Sequence, residues 1–241
     1  MARLTLTGLF FNLFFLGSAG GDAARFAGTL GHAADRKAKL ALSLIQDRLV
    51  GLGALLLVLA GFIGMQGPRL WGEPSVRPLA IGVPVACAAF AAAVSALWFL
   101  AYPTDAVIGD NSRHWRALSL EAIRVLLPKP VFMRALAFSL TIQVLVIAAA
   151  FLAAWAVGIG ISFPAAAVVL GVTALALSLP VTVARLGVRD GMLLWLLAAF
   201  GFKSPAAPIS LSACLLGICL CWAFVGGIAF YWTTQTDSRK R

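Results

Sequence analysis

ALAFSLTIQVLVIAAAFLAAWAVGIG, residues Ala135 to Gly160, carries no charged side chain over 26 positions. A helix rises 1.5 Å per residue, so about 20 apolar residues cross the roughly 30 Å hydrocarbon layer of a bilayer. A helix on the surface of a soluble domain shows one polar face over such a length, and this stretch shows none. It therefore reads as a membrane span. Working outward, four more stretches read the same way: Leu49–Gln66, Leu79–Tyr102, Pro164–Val183 and Ala207–Trp232. Two shorter ones, Leu4–Ala19 and Met192–Phe202, are candidates for broken or re-entrant helices. The fold class expected is all-α, a polytopic transmembrane helix bundle with broken or re-entrant helices.

Composition agrees. Apolar residues make up 61% of the 241 positions and charged residues 12%, whereas a soluble domain holds about 45–50% and 25%. Outside the apolar runs no polar stretch exceeds about 35 residues, too short for a separate domain of ordinary size. The chain is thus read as one integral membrane domain over 1–241. Within it, 1–48 forms a re-entrant or short helix and a basic loop. Residues 49–102 hold two spans, 103–134 a basic loop, 135–232 three to four spans with a broken pair, and 233–241 a basic tail. The start is read as retained: Leu4 to Leu16 leads straight into a small-residue turn and a polar, helix-like segment.

The net charge of +10 fits loops facing an anionic leaflet, where each basic group contributes about 1 kcal/mol. Nucleic acid is not expected, because no basic-aromatic motif accompanies the charge. The loops alternate in charge. Arg25, Arg36, Lys37, Lys39 and Arg48 crowd the first, and Arg113, Arg116, Arg124, Lys129 and Arg134 the third. Between Gly158 and Phe163 there are none, and the chain ends Arg239-Lys240-Arg241. The positive-inside rule places the first and third loops and the C-terminus in the cytoplasm, with the chain in a bacterial inner membrane. Charge does not decide whether Pro164–Phe202 is two full crossings or one re-entrant hairpin, since both return the chain to the same side. Trp71, Trp98, Tyr102, Tyr231 and Trp232 sit at span ends, as interfacial residues do. Leu118 to Leu127 alternates apolar and polar residues and reads as a short surface-lying or connecting helix that Pro128 stops.

Two segments carry chemistry. In Asn12 to Arg25, NLFFLGSAGGDAAR, a small-residue turn closes an apolar stretch and opens a helix, with Asp22 and Arg25 spaced to share a face. Free N–H groups at such a turn can hold an anion. In Ser178 to Gly191, SLPVTVARLGVRDG, Pro180 breaks one helix, Gly187 and Gly191 loosen the backbone, and a new helix begins near Asp190. Arg185, Arg189 and Asp190 lie there between apolar runs. At mid-membrane a charge costs about 2.5–3.5 kcal/mol, and such residues are paired and face a bundle interior or a wet cavity. In an ordinary cytoplasmic loop they would carry no such cost, and the sequence leaves both settings open.

In order and spacing, these segments resemble the transmembrane region of lysylphosphatidylglycerol synthases and its stand-alone relatives. Asn12, Gly17, Ser18, Gly20, Gly21, Asp22 and Arg25 match that family's first motif. Asp47, Arg48 and Gly51 match its Asp-Arg pair and glycine opening the next span. Leu179, Pro180, Thr182, Leu186, Gly187, Arg189 and Gly191 match its late motif, with Asp190 in place of glutamate. Ser139 and Gln143 fall where the family's middle span has similar polar residues. Leu16 stands in place of a proline, and Ala184-Arg185 in place of paired glycines. The family's spans before the first motif are missing, so an N-terminally shortened member is expected.

The resemblance implies a lipid-handling membrane protein without the separate transferase domain: flippase-like movement or binding of an anionic or aminoacylated phospholipid or a lipid-linked molecule. The alternative is a non-catalytic accessory protein for a separate lipid-modifying enzyme. The lipid-binding residues it implies are Asn12, Ser18, Gly20, Gly21, Asp22, Arg25, Asp47, Arg48, Gln143, Thr182, Arg185, Arg189 and Asp190. The arginines would attract the head group. Asp22 and Asp190 would contact a cationic part of it or neutralise the arginines. No enzymatic activity, cofactor or metal is expected: no nucleophile–base pair or phosphate loop is seen, His32 and His114 lie in separate basic loops, and Cys219 and Cys221 point to nearly opposite sides of a helix. Expected partners are anionic membrane phospholipids, with a second copy of the chain or a partner membrane protein.

Overall fold

A computed structural model describes residues 35–72, 74–101, 129–178, 187–202 and 204–238. Six helices and no strand occur among the described residues: α1 (Asp35–Gly72), α2 (Arg77–Ala101), α3 (Lys129–Ala156), α4 (Phe163–Ser178), α5 (Val188–Ala199) and α6 (Ala206–Ser238). The fold is all-α, as the sequence leads one to expect. Four helices, α1, α2, α3 and α6, contain segments long and apolar enough to cross a membrane: Gln46–Gly67, Arg77–Ala96, Val131–Ala156 and Ala206–Ile228. The expected stretches Leu4–Ala19 and Leu118–Leu127 lie outside the described residues.

Helices extend past the apolar runs that suggested them. From Asp35, α1 is already helical, although the sequence alone suggested a basic loop up to Arg48. The reason is local. DRKAKLALSLIQDR holds no glycine or proline and is rich in Ala, Leu, Lys, Arg and Gln, the best helix formers. Likewise α6 continues to Ser238, into the stretch expected to be a tail.

The chain forms two compact units, one of residues 35–145 and the other including residues 146–241. In the first, α1 and α2 form a hairpin. The Cys87 thiol donates to the Leu56 carbonyl at 3.2 Å, and the Phe90 ring lies over Gly53, where a Cβ would come within 2.7 Å of Cε1. The two pairs sum to the same residue number, which fixes an antiparallel register. On α1 the buried face runs Val50, Ala54, Leu55, Leu59 and Ile63, at helical spacing. At the turn, Val76 is buried and accepts a bond from Leu79 N, and Arg77 sits 5.2 Å over the Trp71 ring. That geometry suits an aromatic residue at a span end. Most large side chains of α2 and α3, such as Ile81, Val85, Phe138 and Leu145, point outward. Hydrocarbon, not water, makes such a surface stable.

In the second unit the ends of the helices are closed by backbone. After α3, Gly158 has φ +85°. Its N–H bonds to Trp155 O at 2.9 Å, and Ile159 N–H to Ala154 O at 3.0 Å. This is a Schellman closure, which satisfies carbonyls a helix end leaves open. Phe151 then packs edge-on against Phe163 at 5.3 Å, turning the chain into α4. The end of α5 repeats the device: Gly201 has φ +97°, with bonds from Gly201 N to Ala198 O and from Phe202 N to Leu197 O.

The stretch expected to run from Pro164 to Phe202 as either crossings or a hairpin is a pair of short helices. Among the described residues they extend over 16 and 12 positions, about 24 and 18 Å. Ala165 to Thr173 is buried on every face of α4, which explains why that helix has no polar side. Its one hydroxyl there, on Thr173, is satisfied within the helix by Val169 O at 2.7 Å. Next, α4 packs on α5 and α5 on α6.

Two substitutions test this packing. Gly53→Leu should force α1 and α2 apart and cost about 1–3 kcal/mol, less in a Phe90→Ala background. Gly201→Ala should cost about 1–2 kcal/mol through its left-handed backbone alone. Both are read by reversible unfolding in mixed micelles.

Candidate functional site

Polar side chains come together at the start of α5. Its buried face is Leu193, Leu196 and Leu197. Stepping back one turn from Leu193 gives Arg189, so the arginine lies on the leucine face, and its side chain is only 11% exposed. A buried arginine needs partners. Its Nε donates to Ser212 Oγ of α6 at 2.8 Å. The Ser212 hydroxyl donates in turn to Asp190 Oδ1. Arg189 Nε and Asp190 Oδ1 are 3.7 Å apart. Ser212 is 3% exposed and continues the buried face that Pro208 and Leu211 begin on α6.

The helix start also shapes the field. Gly187 precedes α5 with φ +85° and makes no side-chain cap. Among the described residues a Cβ there would meet nothing within 4 Å, and the left-handed backbone itself calls for glycine. Gly191, also in the family motif, has neither a positive φ nor a close neighbour. The first N–H groups of a helix point outward with a partial positive charge. Asp190 in the first turn is favoured by that field, and Arg189 adds a full positive charge beside it. Among the described residues, the terminal guanidinium nitrogens of Arg189 and Oδ2 of Asp190 have no hydrogen-bond partner.

A second polar contact lies in the unit of residues 35–145. Gln143 Nε2 of α3 donates to Gly51 O of α1 at 3.3 Å. This joins two residues singled out separately in the sequence. Asp47 and Arg48 sit one turn before Gly51 and are exposed, at the start of the span Gln46–Gly67. Among the described residues nothing lies within 4 Å of a Cβ built on Gly51.

Of the other expected lipid-binding residues, Asn12, Ser18, Gly20, Gly21, Asp22, Arg25, Thr182 and Arg185 lie outside the described residues. Arg189 and Asp190 are brought together, and so are Gln143 and the backbone of the Asp47-Arg48-x-x-Gly51 motif. The helix expected near Asp190 begins at Val188. Sequence reasoning missed Ser212. A serine in an apolar helix is common in membranes, and only the four-residue step from Pro208 would have hinted at its face.

Comparison with known proteins adds one finding. The family model described as "Lysylphosphatidylglycerol synthase TM region" matches residues 1–226. No curated protein and no solved structure matches the chain.

Gln143→Leu should lower unfolding stability in bicelles by about 0.6 kcal/mol, the mean for hydrogen bonds between membrane helices. The effect is small because Gly51 O keeps its helical partner.

Proposed function

Since the chain belongs to the lysylphosphatidylglycerol synthase transmembrane-region family, we propose that it binds the head group of an anionic phospholipid at the start of α5 and carries it between leaflets. It is a multi-pass membrane protein, and its family is the non-catalytic region of a lipid-modifying protein. On this reading the chain itself is not an enzyme.

The observation that carries the proposal is Arg189. A guanidinium held on the leucine face of a short helix is expensive in hydrocarbon unless it serves a polar pathway. Its Nε is committed to Ser212, which leaves the terminal N–H groups to donate to two oxygens of a phosphate. The uncapped start of α5 adds N–H donors and a favourable dipole. Asp190 balances the charge while the site is empty. The lengths of α4 and α5 favour a re-entrant hairpin, with Thr182 and Arg185 in the segment between them. The N-terminal motif (Asn12, Ser18, Gly20, Gly21, Asp22, Arg25) and the Asp47-Arg48 pair are further lipid-binding candidates on the family resemblance alone. On this reading the basic residues at the start of α1 and the C-terminal Arg239-Lys240-Arg241 would face the cytoplasm of a bacterial inner membrane, by the positive-inside rule.

The competing reading is an accessory protein that positions a lipid-modifying enzyme encoded elsewhere. The two separate in reconstituted vesicles containing fluorescent phosphatidylglycerol and read by dithionite quenching. Transport predicts scrambling above protein-free vesicles and about a tenfold slower rate for Arg189→Gln, the loss expected for one charge-assisted hydrogen bond. Scrambling at the protein-free rate across several anionic lipids would contradict transport, and recovery of a stable partner enzyme by crosslinking would support the accessory role.

A further inference from the structure

Asp190 and Ser212 are the two neighbours of Arg189 whose part in the site calls for explanation. Arg189 and Asp190 are adjacent on the first turn of α5. At 3.7 Å, Nε and Oδ1 are close enough to attract strongly and too far apart for a direct hydrogen bond. The Ser212 hydroxyl of α6 fills that interval. It accepts from Arg189 Nε at 2.8 Å and donates to Asp190 Oδ1. One hydroxyl proton and two lone pairs are what such a bridge requires. Ser212 is anchored on the buried face of α6, whereas the Asp190 side chain is 42% exposed. The bridge is therefore held from the rigid side.

We propose that Ser212 is a positioning residue, a spacer that keeps Asp190 from closing over the end of the Arg189 guanidinium. The inference rests on the reading of Arg189 as the phosphate-binding group. A half-buried arginine and a carboxylate at this distance can close into a two-bond fork when nothing intervenes. That fork uses the same donors a phosphate would use. By committing Nε to its own oxygen and Oδ1 to its own proton, Ser212 blocks the direct pair and leaves the terminal nitrogens available. Ser212 itself does not touch the lipid.

The test uses the full chain in detergent, phosphatidylglycerol as the probe, and native mass spectrometry to measure retained lipid. Ser212→Ala should bind about tenfold more weakly, near Arg189→Gln, as expected for losing one hydrogen bond to a charged group. Ser212→Thr, which keeps the hydroxyl, should bind like the unsubstituted chain. Asp190→Asn added to Ser212→Ala should recover most of the loss, because the competing carboxylate is gone. A serine that merely supports the fold would not be rescued by that second change, so weak binding without rescue overturns the spacer. Full affinity in Ser212→Ala beside a weakened Arg189→Gln also overturns it, while leaving the role of Arg189 standing. Equal binding by the unsubstituted chain and Arg189→Gln overturns the phosphate reading and the spacer together. If Ser212→Ala does not fold, Ser212→Cys is read on the same scale. Its thiol is a weaker donor and acceptor, so intermediate affinity is expected and full affinity overturns the proposal.

Discussion

A backbone N–H or C=O without a partner in hydrocarbon costs several kcal/mol. Where this chain stops a helix, it has to close that helix with its own atoms. Gly158 and Gly201 do so after α3 and α5, each with a left-handed residue and two backbone bonds that return to open carbonyls. Because its end is closed, a helix as short as α5 is tolerated inside a membrane protein. The burial of α4 from Ala165 to Thr173 meets the other half of the requirement: interrupted backbone at membrane depth is tolerated where protein rather than lipid surrounds it.

The same constraint governs side chains. An arginine on a leucine face is stable when its donors are used, and Ser212 and Asp190 use one end of Arg189. The arrangement satisfies the site without saturating it. A fully satisfied arginine would be structural, and an unpaired one would be too costly to bury. On the proposed reading, a polar cluster between these limits, at the uncapped start of a short helix, would receive an anionic head group. The Gln143–Gly51 bond is of a different kind, a single neutral link holding two spans together.

Much of the fold is legible in the sequence because a lipid solvent imposes a coarse rule. Uncharged runs of sufficient length become spans, and α1, α2, α3 and α6 follow from it. The helix ends were less legible. DRKAKLALSLIQDR looks like a loop when judged by charge and like a helix when judged by propensity, and propensity decides. The short pair α4 and α5 was visible as an anomaly through Pro180, Gly187 and the three charges beside them, but charge alternation could not give their lengths. Arg189 and Asp190 stand out in the motif, and the structure links both to Ser212. Ser212 was invisible, because its contact depends on how α6 lies on α5, and no local pattern encodes that. Gly51 stood in a motif, yet only the structure shows its carbonyl, rather than its lack of a side chain, making the contact.

The central claim is that the start of α5 holds its polar cluster within the membrane rather than in a solvent loop. A spin label at Gly191→Cys tests it most directly. The native cysteines Cys87, Cys214, Cys219 and Cys221 are replaced by alanine, and at Gly191 an added Cβ meets no described residue within 4 Å. Power saturation in vesicles then compares collision with oxygen, which concentrates in hydrocarbon, against collision with a water-soluble nickel chelate. The account predicts oxygen access well above nickel access, as for a label within the bilayer. Free access of the nickel chelate, equal to that of a label in an aqueous loop, would contradict it.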